Sequence, residues 1–367
     1  MSNIGETTLE INLNALAHNF KFFKSKLNAT TKFLAVVKAF AYGSDMVAVS
    51  KKLESLGVDY FAVAYVKEGV LLRDAGIKAP ILVLHPQPIN FNELIDRCLE
   101  PSMYSRNVLK AFLATAKEKK QNKYPIHIKF NTGLNRLGFW KNDVPHILEE
   151  LSGRNEVKVA SLFSHLAASE DKNEREFSLQ QIETFKNISA VLSENLGYSP
   201  LKHMLNTSGI LNYSEAQFDM VRSGIGLYGY GNHFTIDEQL KPVASLKTII
   251  SQIHKIEPNE SVGYNRAYKA KDYKITATLP IGHADGISRQ YGNGKTFVLL
   301  HGKKAPIIGN VCMDMIMIDI TGIECKEGDE VIIFGNGLSA ENFAKGANTI
   351  SYELLTAISS RVKRVIV

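Results

Sequence analysis

Lys38 stands at the end of a predicted buried strand, a place where an amine can do chemistry. Residues 33–37 read Phe-Leu-Ala-Val-Val, an apolar run typical of a strand buried on both faces. An ammonium group there carries a heavy desolvation cost unless the protein uses it. Burial lowers the pKa of a lysine, and the free amine can then form a Schiff base with a carbonyl compound. A lysine that reaches solvent or pairs with a carboxylate is the alternative.

Polar side chains also stand at the ends of other predicted strands, namely those of Lys129, His165, Asn206 and Arg222. In a parallel α/β barrel the carboxyl ends of all strands meet at one mouth, where active sites are built. The pattern therefore predicts that these side chains share one site with Lys38. Taken singly, His165 is more often a satisfied barrel histidine, and Arg222 is by default an arginine bonded to backbone carbonyls.

Two segments could bind a phosphate group through backbone N–H groups. Asn206-Thr207-Ser208-Gly209 follows the seventh predicted strand and could open a helix, whose N-terminus favours anions. Gly224-Ile225-Gly226 offers backbone that a ligand can approach closely. An ordinary helix N-cap is the alternative for the first segment. The segment Gly292-Asn293-Gly294-Lys295 lacks the glycine spacing of a P-loop and predicts a hairpin turn.

The elements that must position these residues alternate between strands and helices. Strands are predicted at 33–38, 59–64, 80–84, 99–103, 125–130, 157–165, 203–206 and 218–223, with helices near 44–56, 66–75, 105–119, 142–152 and 174–195. This alternation predicts an α/β fold, a (β/α)₈ TIM-type barrel. The strand count alone leaves a doubly wound sheet open, and the polar strand ends favour the barrel.

The composition and the residue pattern of the sequence change after residue 230. Residues 231–243 are polar and predict a linker, and the remainder alternates in the manner of strands. We therefore expect a barrel domain at 1–235 and a mainly β C-terminal domain at 236–367. The finer features expected in the second domain are glycine turns at Asn293-Gly294 and His301-Gly302 and short helices near 339–346 and 350–358.

The composition restricts the class of protein. The chain has 367 residues, of which 45% are hydrophobic and 22% charged, as in a soluble protein with a sizeable core. Its net charge of +6 is spread without a basic tract, which argues against nucleic acid and is compatible with an anionic ligand. Cys98, Cys312 and Cys325 lack metal-ligand spacing and suit a reducing cytoplasm. No apolar stretch is long enough to cross a membrane, and residues 1–8 do not read as a signal peptide.

Several motifs resemble those of alanine racemases, pyridoxal-phosphate enzymes of fold-type III. Residues 35–43, which surround Lys38, resemble the family's cofactor-lysine motif, and further matches follow in order at 129–138, 220–229, 261–268 and 306–314. The resemblance extends nearly from end to end of the chain. It implies a cytoplasmic isomerase that interconverts L- and D-alanine with pyridoxal 5′-phosphate and supplies D-alanine for the peptidoglycan of the cell wall.

The resemblance also implies roles for individual residues. It makes Lys38 and Tyr264 the catalytic bases, one on each face of the substrate Cα. It implies that the cofactor is bound by Lys38, Tyr42, His165, Asn206, Thr207, Arg222, Gly224 and Ile225. Substrate binding falls to Arg136 and the backbone N–H of Met313, and supporting roles to Cys312, Asp314 and Lys129, which is carbamylated in some members. Tyr264 and Met313 are implied to serve the partner subunit of a homodimer, so that the two active sites are shared.

Nearby charges are expected to shift the pKa values of the reacting groups in this site. The resemblance sets Arg222 against the pyridine nitrogen, where a fixed cation keeps the nitrogen unprotonated and favours proton return over transamination. It also implies a hydrogen bond between His165 and the catalytic tyrosine. Lowering the pKa of Tyr264 from about 10 to about 7 takes roughly 4 kcal/mol, which one cation at about 4 Å can supply. Tyr268, the neighbouring tyrosine, is predicted to be structural.

Three positions depart from the family pattern. Phe40 stands where Asp or Asn is usual, His283 replaces a common tyrosine near the entrance, and Ser360 replaces a phosphate-binding tyrosine. These changes predict altered substrate access and weaker binding of the cofactor phosphate. The alternatives are a racemase of broad amino-acid specificity, a non-catalytic cofactor-binding protein, or a decarboxylase, which would normally place an acidic residue at the position of Arg222.

Overall fold

A computed structural model of the protein describes residues 6–367, apart from the side chain of Phe234. The prediction about a signal peptide falls in part on residues 1–5, which lie outside the described residues. The strands are β1 (Thr7–Ile11), β2 (Lys32–Val36), β3 (Tyr60–Val63), β4 (Ile81–Val83), β5 (Glu100–Met103), β6 (Tyr124–Lys129), β7 (Val157–Phe163), β8 (Leu201–His203), β9 (Met220–Ser223), β10 (Ala244–Ile249), β11 (Gln252–Ile256), β12 (Ser261–Val262), β13 (Tyr268–Lys269), β14 (Lys274–Leu279), β15 (Phe297–Leu300), β16 (Lys303–Ile308), β17 (Ile316–Asp319), β18 (Glu330–Phe334) and β19 (Lys363–Ile366).

The helices alternate with the first nine strands and are sparse after them. They are α1 (Leu13–Lys24), α2 (Lys38–Gly43), α3 (Met46–Ser55), α4 (Val66–Asp74), α5 (Phe91–Asp96), α6 (Arg106–Glu118), α7 (Val144–Leu151), α8 (Arg175–Leu196), α9 (Thr207–Asn212), α10 (Phe234–Asp237), α11 (Ala340–Lys345) and α12 (Ser351–Ala357). None of the helices in residues 6–367 has the length and apolar character that a membrane span requires.

The chain divides into two compact units. We call Ala17–Ala41 with Met46–Leu240 the barrel unit, and residues 6–16 with Tyr42–Asp45 and Lys241–Val367 the β unit. In the barrel unit, β2 to β9 form a closed parallel barrel in which β2 pairs with both β3 and β9. The predicted (β/α)₈ barrel is therefore confirmed, and a doubly wound sheet is excluded.

The predicted barrel helices are confirmed within a few residues of their expected ends. In α8, Ile182, Phe185, Ile188 and Leu192 form a buried stripe, and Gly197 ends the helix in the left-handed conformation at φ 72°. The seventh barrel strand was predicted at 203–206 and this is wrong, because β8 ends at His203. Three short helical segments in the described residues were missed, namely α2, α5 and α10, the last inside the predicted linker, since none is long enough for helical periodicity to show.

The barrel interior has an apolar side and a polar side. Leu34, Ala62, Leu82 and Met220 from β2, β3, β4 and β9 form one buried apolar cluster. The strands opposite them contribute fully buried polar side chains, which are those of Ser102, His127, Ser161 and His203. Barrel interiors are usually filled by branched apolar residues, so this polar layer is a departure from the usual packing.

The β unit contains a nine-stranded sheet in the order β11-β14-β17-β16-β15-β18-β10-β1-β19, and β12 pairs with β13 separately. The predicted mainly β architecture and its two short helices are confirmed by this sheet with α11 and α12. The turn at His301-Gly302 joins β15 to β16 with φ of 49° and 75°, as a two-residue hairpin requires. The hairpin predicted at Gly292–Lys295 is wrong, because its turn is not flanked by paired strands. Instead, Asn293 N–H donates to Gly309 O at 2.8 Å.

Candidate active site

The backbone after Lys38 turns in a left-handed sense. Strand β2 ends at Val36, and residues 39–43 of the short helical segment α2 all have positive φ, between 52° and 79°. Left-handed helical geometry costs non-glycine residues roughly 1–2 kcal/mol each, so this turn stores strain. A side chain at Gly43 would be impossible, because its Cβ would lie 2.0 Å from Leu355 O.

Glu68 at the start of α4 stabilises this turn and was not anticipated from the sequence. One of its carboxylate oxygens accepts the N–H of Ala39 at 2.6 Å, and the other accepts the N–H groups of Ala64 at 2.7 Å and Tyr65 at 3.2 Å. These charge-assisted bonds tie the residue after Lys38 to the carboxyl end of β3. The spacing of Tyr65 and Glu68 at a helix start resembles a capping box, and that was the available signal.

Lys38 lies half-buried among other positive groups. Burial lowers the pKa of Lys38, the charge of Arg136 lowers it further, and the charge of Glu68 opposes them. At the end of β6, burial lowers the pKa of Lys129 to about 8, with further contributions from Arg136, Arg222 and Lys38. The barrel mouth thus holds several cations that repel one another and favour an anionic ligand.

Arg136 is carried by a loop that the sequence builds from glycine and asparagine. Gly133 and Gly138 have φ of 137° and 128°, and a Cβ on Gly138 would lie 2.6 Å from the backbone at Asn131. The side-chain oxygen of Asn131 accepts the N–H groups of Gly133 at 3.1 Å and Asn135 at 3.0 Å. The loop is therefore fixed from within, and the Arg136 side chain is exposed at its end.

Arg222 is almost fully buried and is held by acceptors on three sides. Its terminal nitrogens donate to His203 Nδ1 at 2.6 Å, Ser164 O at 2.6 Å and Met204 O at 2.9 Å. Burial lowers the pKa of Arg222 to about 9. The Nε–H group has no hydrogen-bond partner among the described residues, so one guanidinium donor is available to a ligand.

His165 is neutral in this surrounding. Its Nδ1 lies 3.1 Å from a terminal nitrogen of Arg222, and because a guanidinium can only donate, Nδ1 is the acceptor. Burial holds the pKa of His165 well below its usual range, and the charges of Arg222, Arg136, Lys129 and Lys38 lower it further. Of His165 and Arg222, only Arg222 can therefore carry a positive charge.

The segments after β8 and β9 meet around Thr207. Asn206 is the N-cap of α9, and its side-chain oxygen accepts Gly209 N–H at 2.8 Å. Thr207 Oγ1 accepts the N–H groups of Gly224 at 3.4 Å and Gly226 at 3.2 Å. The ordinary N-cap that was the alternative for this segment is therefore present. The two loops also converge, and they bring together the residues predicted to bind phosphate, including Ile225 in the turn Ile225–Tyr228.

The remaining predicted site residues lie in the β unit. The side chains of Tyr264 and Met313 are 73% and 58% exposed, and Asn310 Nδ2 connects their segments by donating to Tyr264 O at 3.1 Å. Cys312 O accepts His283 N–H at 2.9 Å. Asp314 pairs with Arg361 at 2.7 Å, and the Tyr42 ring is buried 6.0 Å from that of Tyr352.

The lowered pKa of Lys129 makes a prediction about stability. The folded pKa of about 8 lies below the ordinary value of 10.5, so the unfolded chain binds more protons between these values. We expect Lys129→Met to raise the free energy of unfolding by about 3 kcal/mol at pH 7, an advantage that shrinks as the pH rises from 8 towards 10.5. Urea unfolding of both proteins in buffer free of carbon dioxide measures this difference. A difference that does not change with pH would contradict it.

Comparison with known proteins places these features in a family. Residues 11–232 match the family model for the alanine racemase N-terminal domain, and residues 243–366 match that for the C-terminal domain. A protein named alanine racemase 2 from Caldanaerobacter subterraneus subsp. tengcongensis is 37% identical, over 99% of this chain and 95% of that protein.

Solved structures agree over the full length. An alanine racemase from Clostridium difficile 630 is 35% identical with a TM-score of 0.93, covering 100% of this chain and 97% of that one. An alanine racemase from Bartonella henselae, solved with covalently bound pyridoxal phosphate, is 28% identical with a TM-score of 0.91, covering 99% and 100%. Because both family models match and together they account for nearly all of its residues, this chain belongs to the alanine racemase family.

Proposed function

We propose that Lys38 and Tyr264 are the two acid–base groups with which this chain, a pyridoxal-phosphate-dependent alanine racemase, moves the proton on Cα of alanine. Racemisation needs proton removal on one face of Cα and delivery on the other, and hence a group on each side. The observation that carries the proposal is an amine of lowered pKa, Lys38, among cations at the mouth of a barrel. The lowered pKa favours the free amine, which a nucleophile and a base both require.

The residues at the barrel mouth fit the cofactor. Lys38, Lys129, Arg136 and Arg222 form a cationic group that suits a phosphate and a substrate carboxylate. A Cβ on Gly226 would lie 2.5 Å from the Phe23 ring and 2.7 Å from the Thr207 methyl group, so only glycine lets this loop pack beside Thr207. When bound, pyridoxal phosphate withdraws electrons from Cα of an attached amino acid and so acidifies its C–H bond.

Each predicted residue has a role in this arrangement. Lys38 would attach the cofactor, and the free Nε–H of Arg222 would bind the ring nitrogen. The phosphate would lie on the loops that Thr207 joins, bound by Asn206, Thr207, Gly224 and Ile225, with Tyr42 beside it. Arg136 and the N–H of Met313 would hold the substrate carboxylate, and neutral His165 would hydrogen bond to the phenol of Tyr264.

We assign Tyr264 and Met313 to the active site of a second copy of the chain. Both side chains are more than half exposed, although large apolar side chains usually lie inside a protein or at an interface. In the barrel unit, Phe40 and Trp140 are likewise 68% and 56% exposed. A homodimer with two shared sites would cover such surfaces and bring both bases to each substrate. Cys312 and Asp314 would support the Met313 turn, Asp314 through its ion pair with Arg361.

Carbamylation of Lys129 would change the charge of the mouth. A lysine with a pKa of about 8 is about one tenth free amine at pH 7, far more than an ordinary lysine, and the free amine is the form that reacts with carbon dioxide. The negative carbamate would then pair with Arg136 instead of repelling it. Labelled bicarbonate tests this by carbon-13 NMR, with Lys129→Met as the control that should show no carbamate signal.

The replacement of the usual phosphate-binding tyrosine by Ser360 predicts weak cofactor retention. Ser360 is exposed, and its short side chain offers a hydroxyl without the reach of a phenol. We expect Ser360→Tyr to slow cofactor loss on dialysis by about 10-fold, the effect of one added hydrogen bond to a charged group. Ser360→Phe is the matched control and should not slow it. Equal retention in all three proteins would contradict the prediction.

Chiral analysis of the product formed from L-alanine tests the proposed function. We expect the purified protein with pyridoxal phosphate to produce D-alanine without release of carbon dioxide. L-Serine and L-lysine, assayed beside it, separate an alanine racemase from one of broad specificity. A non-catalytic binding protein would leave every substrate unchanged and exchange no Cα hydrogen with deuterated water. The supply of D-alanine for peptidoglycan is the role we propose for the product.

A further inference from the structure

The loop between β16 and β17 rests on the turn at residues 282–285 of the same unit. Met313 and Asp314 lie at the tip of this loop, and we call these two residues the hairpin tip. Ala284 N–H donates to Met313 O at 3.0 Å, and a Cβ on Gly282 would lie 2.4 Å from the same oxygen. A backbone hydrogen bond and close backbone packing therefore hold the hairpin tip in place.

One guanidinium bridges two carboxylates beside the hairpin tip. Arg361 Nε donates to Asp285 Oδ1 at 2.6 Å, and Arg361 Nη2 donates to Asp314 Oδ1 at 2.7 Å. Asp285 is almost fully buried, and its other carboxylate oxygen accepts Gly282 N–H at 2.8 Å. The side chains of Arg361 and Asp314 are about half exposed. Together the three charged groups carry one net negative charge, and without Arg361 they would carry two.

Negative charge beside the hairpin tip opposes the binding of an anion there. Met313 N–H donates to none of the described residues, and it is the group proposed to hold the substrate carboxylate. Asp314 is the next residue in the chain, and Asp285 lies in the turn on which the hairpin tip rests. Repulsion between like charges grows as water is excluded, and the hairpin tip is assigned to the active site of a second copy. Compensation of these two carboxylates therefore favours substrate binding.

We propose that Arg361 determines the affinity for the substrate carboxylate by compensating the charges of Asp285 and Asp314 beside Met313 N–H. Arg361 is thus a positioning residue that does not touch the substrate, since it acts through the two carboxylates and the hairpin tip. Because the hairpin tip belongs to one copy and the barrel mouth to the other, Arg361 acts on the active site of the second copy. The inference rests on the proposed function, in particular on the role of Met313.

A role in stability alone is the competing explanation for Arg361, because an ion pair can also hold two segments together. The hairpin tip, however, is held by backbone contacts that do not involve Arg361. Ser359 N–H also donates to Asp285 O at 3.1 Å, so the backbone already joins the segment that precedes Arg361 to the turn of Asp285. An ion pair between two half-exposed side chains, such as that of Arg361 with Asp314, adds little to stability.

Four variants separate charge from structure. Arg361→Gln removes the positive charge and keeps a side chain that can donate a hydrogen bond, whereas Arg361→Lys keeps the charge. The double variant Arg361→Gln/Asp314→Asn lacks the ion pair but has the same net charge at this place as the wild type. Lys274→Met is the matched control, because it breaks an ion pair with Asp319 at 3.2 Å at the other end of β17. If Arg361→Gln does not fold, Arg361→Met takes its place with the same expected results.

Calorimetric titration with propionate measures the affinity for a carboxylate without turnover, on the full-length protein loaded with pyridoxal phosphate. Propionate carries the carboxylate and the methyl group of alanine but no amine. We expect Arg361→Gln to bind propionate about 10-fold more weakly than the wild type at low salt. Arg361→Lys, the double variant and Lys274→Met should stay within about 3-fold of the wild type. Unchanged affinity in Arg361→Gln, or no recovery in the double variant, would overturn the proposal.

Steady-state kinetics and hydrogen exchange complete the test. We expect Arg361→Gln to raise KM for L-alanine about 10-fold and to change kcat by less than about 3-fold, because the carboxylate is bound equally in the ground state and the transition state. Deuterium exchange at the Ala284 amide should be unchanged. A lower kcat with unchanged KM, or faster exchange at Ala284, would indicate a structural role and overturn the proposal. If the wild type fails to racemise alanine, the proposed function is wrong, whereas the propionate titration still reports on Arg361.

Discussion

Lys38→Ala is expected to reduce racemisation by about 10⁴-fold or more, because the change removes both the cofactor attachment and one of the two bases. The variant should also lose covalently bound pyridoxal phosphate, measured by mass spectrometry after borohydride reduction. The physical basis is the burial and neighbouring charge that lower the pKa of this amine. The left-handed turn after it, held by Glu68, fixes where the side chain begins.

Lys129→Met is the matched control for this experiment, since Lys129 is a second lysine of lowered pKa in the same group of cations. It should keep the covalent cofactor. Loss of covalent attachment in Lys129→Met but not in Lys38→Ala would show that the roles of the two lysines are reversed.

Tyr264→Phe is expected to lower racemisation by about 10²- to 10⁴-fold while cofactor binding is unchanged, because the change removes one proton-transfer group and keeps the ring. Exchange of the Cα hydrogen with deuterated water should persist for one enantiomer of alanine only, the one whose Cα hydrogen faces Lys38. Proton NMR of L- and D-alanine incubated separately measures both exchanges.

Tyr268→Phe provides the control for the tyrosine experiment. Tyr268 lies four residues further on, pairs with Val262 between β12 and β13, and packs on the small apolar cluster of the β unit. We expect it to retain racemisation. Full activity in Tyr264→Phe, or symmetrical loss of exchange for both enantiomers, would contradict a two-base mechanism with Tyr264 as one base.

The barrel could be predicted because its signals are local. Apolar runs of strand length alternate with helices such as α8, whose buried stripe repeats at helical spacing. Where a local signal is weak, the prediction failed. Strand β8 has only three residues, and the buried apolar residues Met204 and Leu205 that follow it were taken as part of the strand. At Gly292–Lys295 the glycines did predict a turn, but whether strands pair on both sides depends on contacts that are remote in sequence.

The residues of the barrel mouth could be predicted as a group, since the carboxyl ends of parallel strands converge. The effects of these residues on one another's pKa values could not be predicted from the sequence. The neutrality of His165 follows from its burial beside several cations, and burial at that level depends on tertiary structure. Glu68 was missed because it acts between strands that are distant in sequence.

A shared active site is the central feature of the proposed mechanism, and a mixture of two impaired variants tests it most directly. Lys38→Ala and Tyr264→Phe are each expected to be strongly impaired alone, but a hybrid dimer would contain one site with both defects and one with neither. Random reassociation makes about half of the dimers hybrids, so we expect about a quarter of wild-type racemisation to return on mixing unfolded or dissociated subunits and reassembling them. If both bases of a site came from the same polypeptide, every site would remain defective, and no recovery would be observed.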